Sequence, residues 1–247
     1  MNRKRKGRRI SMKELLKKNR RLVNKELKGI EKRKYFSPSL LSQYKKLVPV
    51  LNKYAKGVVI DVGCGDAPYL DIVKNNISQY DTFDVEERDV KVTYLGDIQN
   101  MEKVPDNKYD TVLNFDVLEH VKEPRKAISE MCRVLKNGGK IIISVPHLSR
   151  LHEVPNDYYR FTQYGLKYLL EKEGFEILLL ESTGGLFSFI GHQISSIIIL
   201  PLWHIQYLKK IILFINKWLF VLPAYYLDKI FDRDKLFALG YIVVGKK

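Results

Sequence analysis

Residues 58–69 read VVIDVGCGDAPY, and this stretch decides the fold. Three apolar residues, Val58 to Ile60, lead into Asp61 and then into a loop with glycines at 63 and 65. A short apolar run that ends in a glycine turn is typical of a buried parallel strand followed by a helix. Glycines let backbone N–H groups approach a ligand, and the following helix points its positive end at it. The stretch therefore indicates a nucleotide-cofactor loop, with an ordinary strand–helix turn as the alternative.

An acidic residue stands downstream at a fitting distance. Asp84 lies 19 residues after Gly65, at the end of the strand-like run YDTFDV (80–85). An acid at about this distance binds the ribose hydroxyls in dinucleotide-binding folds. The third glycine of the dinucleotide fingerprint is missing, because Ala67 and Pro68 follow Asp66. This departure argues against a dinucleotide as the ligand.

Four stretches together resemble one known family: IDVGCGDAPY, TFDVEE, LGDIQN and YDTVLNFDVLEHV…RVLKNGGKIIISVP. They resemble the class I S-adenosylmethionine-dependent methyltransferases, in the small-molecule branch that includes the ubiquinone/menaquinone methyltransferases. The resemblance covers 54–145 and continues more weakly to 181. It implies an α/β fold: a Rossmann-like, doubly wound, seven-stranded, mostly parallel sheet with an antiparallel last strand. It also implies S-adenosyl-L-methionine as the cofactor.

The resemblance places the cofactor on the ends of successive strands. The methionine end would lie on the glycine loop, the ribose on the next strand, the adenine after strand three and the sulfonium beside strand four. The resemblance implies Asp61, Gly63, Cys64 and Gly65 for the methionine end and Asp84 for the ribose. It implies Asp97 and Ile98 for the adenine, and Asn114 and Phe115 for the sulfonium. For Asp97 the alternative is a helix cap.

The acceptor is expected to meet the loop that follows strand five. Within it, HEVPNDYYRF (152–161) resembles a loop in methyltransferases of bacterial glycan and cell-envelope pathways. We predict His152 as the base for a hydroxyl acceptor and Arg160 as an acceptor-binding residue. The alternative is that a pair of Arg160 with Asp157 only holds the shape of the loop. His120, in the run VLEHV, is expected to be structural or next to the cofactor.

Composition narrows the class of protein. The chain of 247 residues is 45% hydrophobic, long enough for one α/β domain with additions. Two cysteines exclude a disulfide framework and indicate a reducing cytosol. Neither has metal-ligand spacing, and no metal is expected. The basic start is not followed by an apolar core, so no cleavable signal peptide is expected.

The net charge of +15 is concentrated at the start of the chain. Residues 1–34 hold 16 of the 43 Lys and Arg residues and three Glu, and they are predicted to form a basic amphipathic extension ahead of a methyltransferase domain at 35–247. A helix is predicted from Ser11 to near Gly29. It could attach to an anionic surface, either lipid headgroups or RNA phosphates. The alternative is a helix packed on its own domain with a solvated basic face.

The connection at about 182–234, between the last two strands, is far longer than a usual loop and predicts a hydrophobic helical insertion. Residues 182–208 contain no Asp, Glu, Lys or Arg, and aromatic residues stand near the ends of the apolar runs. A helical hairpin dipping into one leaflet is expected, with a buried lid or a dimer surface as the alternative.

Three element boundaries are also predicted. The helix at 40–54 should be interrupted near Pro49, strand three should cover 90–95, and Asn137-Gly138-Gly139 should end the helix before strand five.

These observations predict methyl transfer to a small-molecule or lipid-linked acceptor, such as an envelope glycan or a quinone-like compound. The protein is expected to be cytoplasmic, peripheral or monotopic at the inner face of the membrane. One alternative is an RNA methyltransferase that uses the basic N-terminus, although no RNA-binding module follows and nucleic acid is not expected as a partner. Another is a non-catalytic protein that binds S-adenosylmethionine.

Overall fold

The computed structural model describes residues 11–27, 29–88, 90–232 and 234–247. Seven strands form one sheet: β1 (Gly57–Val62), β2 (Ile77–Asp84), β3 (Tyr94–Leu95), β4 (Tyr109–Phe115), β5 (Leu135–Pro146), β6 (Glu176–Thr183) and β7 (Gly240–Lys246). Their order is β3-β2-β1-β4-β5-β7-β6. Strands β1 to β5 are parallel, and β7 runs antiparallel to both β5 and β6. The predicted sheet and its antiparallel last strand are confirmed.

Nine helices are described around this sheet: α1 (Met12–Glu26), α2 (Ile30–Arg33), α3 (Pro38–Tyr54), α4 (Leu70–Val73), α5 (Pro124–Val134), α6 (Gln163–Lys172), α7 (Leu186–Leu202), α8 (Lys209–Asn216) and α9 (Leu222–Phe231). Several of these helices begin at a residue whose side-chain oxygen accepts a hydrogen bond from a free backbone N–H group of the first turn. The Ser37 hydroxyl accepts from Leu40 N, and the Thr162 hydroxyl accepts from Gly165 N. A π-helical turn, Lys217–Val221, joins α8 to α9.

The sheet is buried on both faces. In β5, Ile141 and Ile143 belong to the hydrophobic core that includes Met131 of α5, whereas Ile142 belongs to the core that includes Leu51 of α3. All three isoleucines are fully buried. Alternate side chains of a strand point to opposite faces, so an unbroken apolar run fits a strand covered on both sides.

Helix α1 packs against the insertion. Val23 of α1 shares a buried cluster with Ile199, Leu200 and Trp203. The buried Asn19 side chain donates to the Leu200 carbonyl over 2.8 Å. Part of the apolar stripe of the extension, Val23 with the partly buried Leu16, Leu22 and Leu27, therefore faces the protein, as the packing alternative predicted. Attachment of the extension to an anionic surface stays a prediction.

The insertion is a helical hairpin that leaves and re-enters the sheet at one place. Thr183, at the end of β6, pairs with Gly240, at the start of β7. Asp232 accepts a hydrogen bond from Leu186 N and Asp228 accepts one from Phe187 N, each over 2.8 Å, so acids beside the end of the hairpin cap its first helix. The continuous helical stretch Gln206–Phe231 contains α8, the π-helical turn and α9. Among the described residues, it is the one helix that is long and apolar enough to cross a membrane by length and composition, and 22% of its most apolar 18-residue part is buried.

Three boundaries differ from the sequence predictions. Helix α3 continues through Pro49 without interruption. Helix α5 ends at Val134 and the chain enters β5 at once, because Gly138 N donates to the Lys247 carbonyl and Lys247 N donates to the Gly139 carbonyl. The glycines therefore pair with the C-terminal residue and do not cap the helix. Strand β3 is limited to two residues.

Candidate active site

The glycine loop lies where β1 ends, at the carboxyl edge of the sheet. Gly63 and Gly65 have φ angles of 76° and 52°, a region that glycine adopts without strain. A Cβ on Gly63 would lie 2.3 Å from Val117 Cγ2, so only glycine fits there. Gly65 N donates to Asp84 Oδ2 over 2.8 Å, which ties the loop to the end of β2. The predicted loop and the predicted ribose-binding acid are thus in direct contact.

Asp61 is the buried acid of the loop. Its carboxylate accepts a hydrogen bond from the Tyr80 hydroxyl over 2.5 Å. Burial raises the pKa of Asp61 to about 7; the Tyr80 hydrogen bond opposes this rise and the Asp84 charge adds to it. The group therefore changes charge near neutral pH and prefers a cationic neighbour when ionised.

Asp97 and Ile98 follow β3 at the same edge. Asp97 Oδ1 accepts from Gln99 N over 2.8 Å, and the Asp97 carboxylate also accepts from the Gln99 side chain. No helix begins after Asp97 in the described chain, so the helix-cap alternative does not apply. Ile98 is buried beside it and presents an apolar surface.

One cavity of about 980 Å³ joins nearly all of the predicted cofactor residues. Its lining includes Asp61, Gly63, Cys64, Gly65, Asp84, Asp97, Ile98 and Phe115. Burial raises the pKa of the Cys64 thiol to about 12, so this side chain stays neutral.

Asn114 is the exception. It is fully buried, and its amide donates to the Val62 carbonyl over 2.9 Å, so it joins β4 to β1 and does not line the cavity.

The side chains present fit S-adenosylmethionine. Its ammonium, ribose hydroxyls and adenine amine are hydrogen-bond donors, and the cavity offers carboxylate acceptors at Asp61, Asp84 and Asp97. Ile98 and Phe115 supply apolar surface for the adenine ring and the sulfonium. The acids also match the positive charges of the ammonium and the sulfonium.

A second group of residues, from the segments that follow β4 and β5, lines the same cavity. Glu119 and His120 lie on the 3₁₀ turn Leu118–His120, just after β4, and His152 lies on the loop after β5. The His120 and His152 rings meet edge to face with centroids 4.6 Å apart. The Glu119 carboxylate, 3.5 Å from His152 Nε2, raises the pKa of the His152 imidazole. His152 therefore faces the cavity, as predicted.

Arg160 does not reach the cavity lining. Its guanidinium donates to both carboxylate oxygens of Asp157, over 2.7 and 2.8 Å, and to the Arg150 carbonyl over 2.9 Å. Asp157 in turn accepts from His152 N over 2.8 Å, and Arg160 holds the pKa of Asp157 well below its usual range. Arg160 therefore shapes the loop that carries His152, as the alternative of an Arg160–Asp157 pair predicted, and its contact with an acceptor stays a prediction.

The structure adds residues that sequence reasoning did not assign. Asp116 lines the cavity, and its carboxylate accepts hydrogen bonds from the Gln43 side chain over 3.0 Å and from the Ser144 hydroxyl over 3.1 Å. Asp116 comes one residue after β4, at the edge of the sheet where ligands bind, so its position in the sequence could have indicated a site residue. Arg33 of α2 and His192 of α7 also line the cavity. They come from the N-terminal extension and the insertion, and no local pattern ties either to the cofactor loop.

Comparisons with known proteins agree with this geometry. The family model described as "Methyltransferase domain" matches residues 30–180. A probable S-adenosylmethionine-dependent methyltransferase of Mycolicibacterium smegmatis is 28% identical over 148 residues, which cover 54% of this chain and 56% of that protein. A ubiquinone biosynthesis O-methyltransferase of Idiomarina loihiensis is 28% identical over 99 residues, covering 35% of this chain and 41% of its own length. The chain thus spans about half the length of these two relatives.

A solved structure shares the fold. It is a phosphoethanolamine N-methyltransferase of Haemonchus contortus in complex with phosphomonomethylethanolamine and S-adenosylhomocysteine. The TM-score is 0.54 at 18% identity, covering 85% of this chain and 53% of that one. The family match covers more than half of the chain and, with the fold and the lined cavity, leads to one conclusion: this chain belongs to the class I S-adenosylmethionine-dependent methyltransferases.

Proposed function

We propose that the acceptor of the methyl group is lipid-linked or otherwise held at a membrane, for example a polyprenyl glycan, a quinone precursor or a related envelope component. We further propose that the enzyme works on the cytoplasmic face of that membrane. The observation that carries this proposal is a stripe of exposed apolar side chains on the helix Gln206–Phe231.

The stripe follows the helical repeat. Tyr207, Ile211, Phe214 and Trp218 are 78%, 54%, 66% and 53% exposed. Their spacing of three or four residues puts them on one face of the helix. Large apolar side chains that stay exposed together mark an interaction surface.

The charge of the insertion suits anionic headgroups. No Asp or Glu occurs from Ser182 to Leu227, whereas Lys210 and Lys217 stand beside the stripe. Lys217 Nζ lies 5.0 Å from the ring centroid of Trp218. Basic residues next to exposed aromatic and aliphatic ones are typical of helices that lie in the membrane interface.

The packing of the hairpin favours a position on the surface over a crossing. A Cβ on Gly191 of α7 would lie 2.9 Å from Pro38 Cγ and 3.3 Å from Ala224 Cβ, so α7 is pressed between α3 and α9. Asn216, a polar residue inside the second apolar run, donates to the backbone carbonyls of Tyr35 and Phe36 over 3.0 Å each. One side of the hairpin therefore belongs to the protein, and its exposed side is left for lipid.

The same insertion borders the reaction cavity. His192 of α7 lines it together with Leu40 of α3. An acceptor whose apolar tail stays in the membrane would reach the cavity along this wall.

Methyl transfer requires mainly that the cofactor and the acceptor are held in line. The cofactor supplies a methyl group on a sulfonium, which is already a reactive electrophile, so the chain mainly orients the reactants. Asp61, Asp84 and Asp97 hold one end, while Glu119 and His152 border the space for the acceptor. A hydroxyl acceptor must also lose a proton, and His152 is the sequence-predicted base.

Sedimentation with vesicles tests the membrane part. The full-length chain should bind vesicles of anionic phospholipid and stay partly bound in high salt, because salt screens the lysines but not the apolar contacts. A variant with Ile211→Ser, Phe214→Ser and Trp218→Ser should lose the salt-resistant part. Tyr164→Ser with Tyr168→Ser, which alters two exposed side chains of α6, is the matched control and should bind like the wild type. A wild-type chain that stays in the supernatant at low salt would overturn the proposal.

A further inference from the structure

Three side chains that line the cavity, Glu119, His120 and His152, converge on one point. One carboxylate oxygen of Glu119 and one nitrogen each of His120 and His152 all lie within 4.8 Å of one another. Nε2 of His120 is 3.6 Å from Glu119 Oε1, and Nε2 of His152 is 3.5 Å from the same oxygen. The ligands of one ion at about 2.1 Å lie about 3.0–3.4 Å from one another, so the atoms that are farthest apart would move closer by up to about 1.8 Å when an ion binds.

The other ring nitrogen of His120 fixes its orientation. Nδ1 lies 2.6 Å from the Asn156 carbonyl oxygen. Because a carbonyl only accepts, Nδ1 carries the hydrogen and the lone pair of the ring is on Nε2, the atom that faces Glu119. In metal-binding histidines, a backbone carbonyl often accepts a hydrogen bond from the ring nitrogen that does not bind the metal.

His152 is held in a similar way. Its Nδ1 lies 3.4 Å from the Arg150 carbonyl and 3.6 Å from Asp157 Oδ2, both acceptors. The Arg160 guanidinium is 3.5 Å from the same nitrogen, but it is already bound to Asp157 and to the Arg150 carbonyl. Nε2 is again the nitrogen directed at Glu119.

The Glu119 carboxylate lacks a hydrogen-bond donor among the described residues. It is fully buried, and neither of its oxygens accepts a hydrogen bond from the residues that the structure describes. A buried carboxylate without a donor is costly, and here two imidazole nitrogens also face it. One proton between Glu119 and one imidazole would satisfy a single pair, whereas one cation satisfies all three groups at once.

We propose that Glu119, His120 and His152 bind a divalent first-row transition-metal ion. Two imidazoles and one carboxylate form a ligand set that leaves coordination positions open, and all three residues line the cavity. The sequence alone does not predict this site, because His152 stands 32 residues after His120 and the turn and the loop meet only in the fold.

The role of the ion in catalysis rests on the proposed function. A hydroxyl bound at an open position has a lowered pKa and a fixed direction. Its proton passes to solvent, the oxygen–carbon bond forms as the carbon–sulfur bond breaks, and the sulfur keeps the electron pair of that bond. His152 then serves as a metal ligand and not as a free base.

Titration of the metal-free full-length chain with Co²⁺ tests the site directly, because bound Co²⁺ shows visible absorption bands that depend on its ligands. The titration is done without cofactor or acceptor, so a failure of the membrane proposal does not affect its result. The wild type should bind one Co²⁺ per chain, and Zn²⁺ should displace it. Glu119→Gln, His120→Gln and His152→Gln should each weaken binding at least about tenfold, the lower range for altered metal-site residues.

His147→Gln is the matched control, since His147 lies on the same loop but outside the cluster. It should bind Co²⁺ like the wild type. Circular dichroism and binding of S-adenosylhomocysteine show whether each variant is folded. Wild-type protein that gives no absorption bands, or a folded Glu119→Gln variant that binds Co²⁺ as tightly as the wild type, would overturn the proposal.

Discussion

Cofactor affinity should rise with pH because of one buried group, the carboxyl of Asp61. Burial raises its pKa to about 7, and the hydrogen bond from Tyr80 limits the rise. The glycine loop places this carboxyl at the expected methionine end of the cofactor, whose ammonium is attracted by the ionised form only. Protonation of Asp61 therefore competes with cofactor binding.

The size of the effect follows from that pKa. The ionised fraction of a group with a pKa of about 7 grows from about 9% at pH 6 to about 76% at pH 7.5. If the ionised form alone binds tightly, affinity increases about eightfold over this range, or about 1.2 kcal/mol.

The same group affects stability with the opposite sign. The pKa of Asp61 is raised in the folded chain from an ordinary value of 3.8. Its contribution to the stability of the unliganded protein is therefore fully present below about pH 4 and is lost as the pH rises to about 7. The free energy of unfolding falls by at most about 4 kcal/mol over this range because of this group. The melting temperature of the ligand-free protein should fall over this window, and Asp61→Asn should remove that component.

Calorimetry with S-adenosylhomocysteine at pH 6 and pH 7.5 measures the binding effect. The wild type should show the increase, and Asp61→Asn should bind weakly at both values. Tyr80→Phe removes a hydrogen bond that lowers the pKa of Asp61, so its affinity curve should move to higher pH. Equal wild-type affinity at the two pH values, or a persisting slope in Asp61→Asn, would refute the reasoning.

Three further outcomes follow from contacts in the structure. Asp84→Ala should weaken S-adenosylhomocysteine binding at least about tenfold in calorimetry, the scale of a lost hydrogen bond to a charged group; unchanged affinity would remove Asp84 from the site. Arg160→Ala frees Asp157 and loosens the loop of His152, so kcat should fall while cofactor affinity stays within about twofold. Leu200→Ser should lower the melting temperature because Leu200 is 8% exposed, whereas Ile197→Ser, at 71% exposure, should leave it nearly unchanged.

The strand-end acids could be predicted from sequence because the carboxyl ends of parallel strands meet at one edge of a sheet. Asp61, Asp84 and Asp97 each follow an apolar run, and the topology brings them to one cavity. The position of the Asn114 side chain could not be predicted in the same way. It is next to Phe115 in β4, but neighbouring side chains point to opposite faces, and only the fold shows that Phe115 is the one that faces the cavity.

Contacts between distant segments could not be read from local patterns. Asn19 bonds to the backbone of Leu200 across 181 residues, and this places the apolar stripe of α1 against α7. The first segment was predicted to be a basic amphipathic helix and the second a hydrophobic helical insertion, yet no pattern in either one identifies the other as its packing partner. The same limit applies to Glu119 and His152, whose approach depends on a turn and a loop on neighbouring strands.

A labelled methyl group shows directly which molecule the enzyme methylates. Full-length protein is incubated with S-adenosylmethionine labelled in the methyl group and with membranes from the cells in which the chain occurs, and organic and aqueous extracts are then counted. Transfer to a lipid-linked acceptor should place label in the organic extract or in a lipid-linked glycan, and Asp84→Ala should transfer at least about tenfold less label at cofactor concentrations below the wild-type Kd. Label that appears only in RNA or in the aqueous fraction, or equal labelling by the variant, would contradict it.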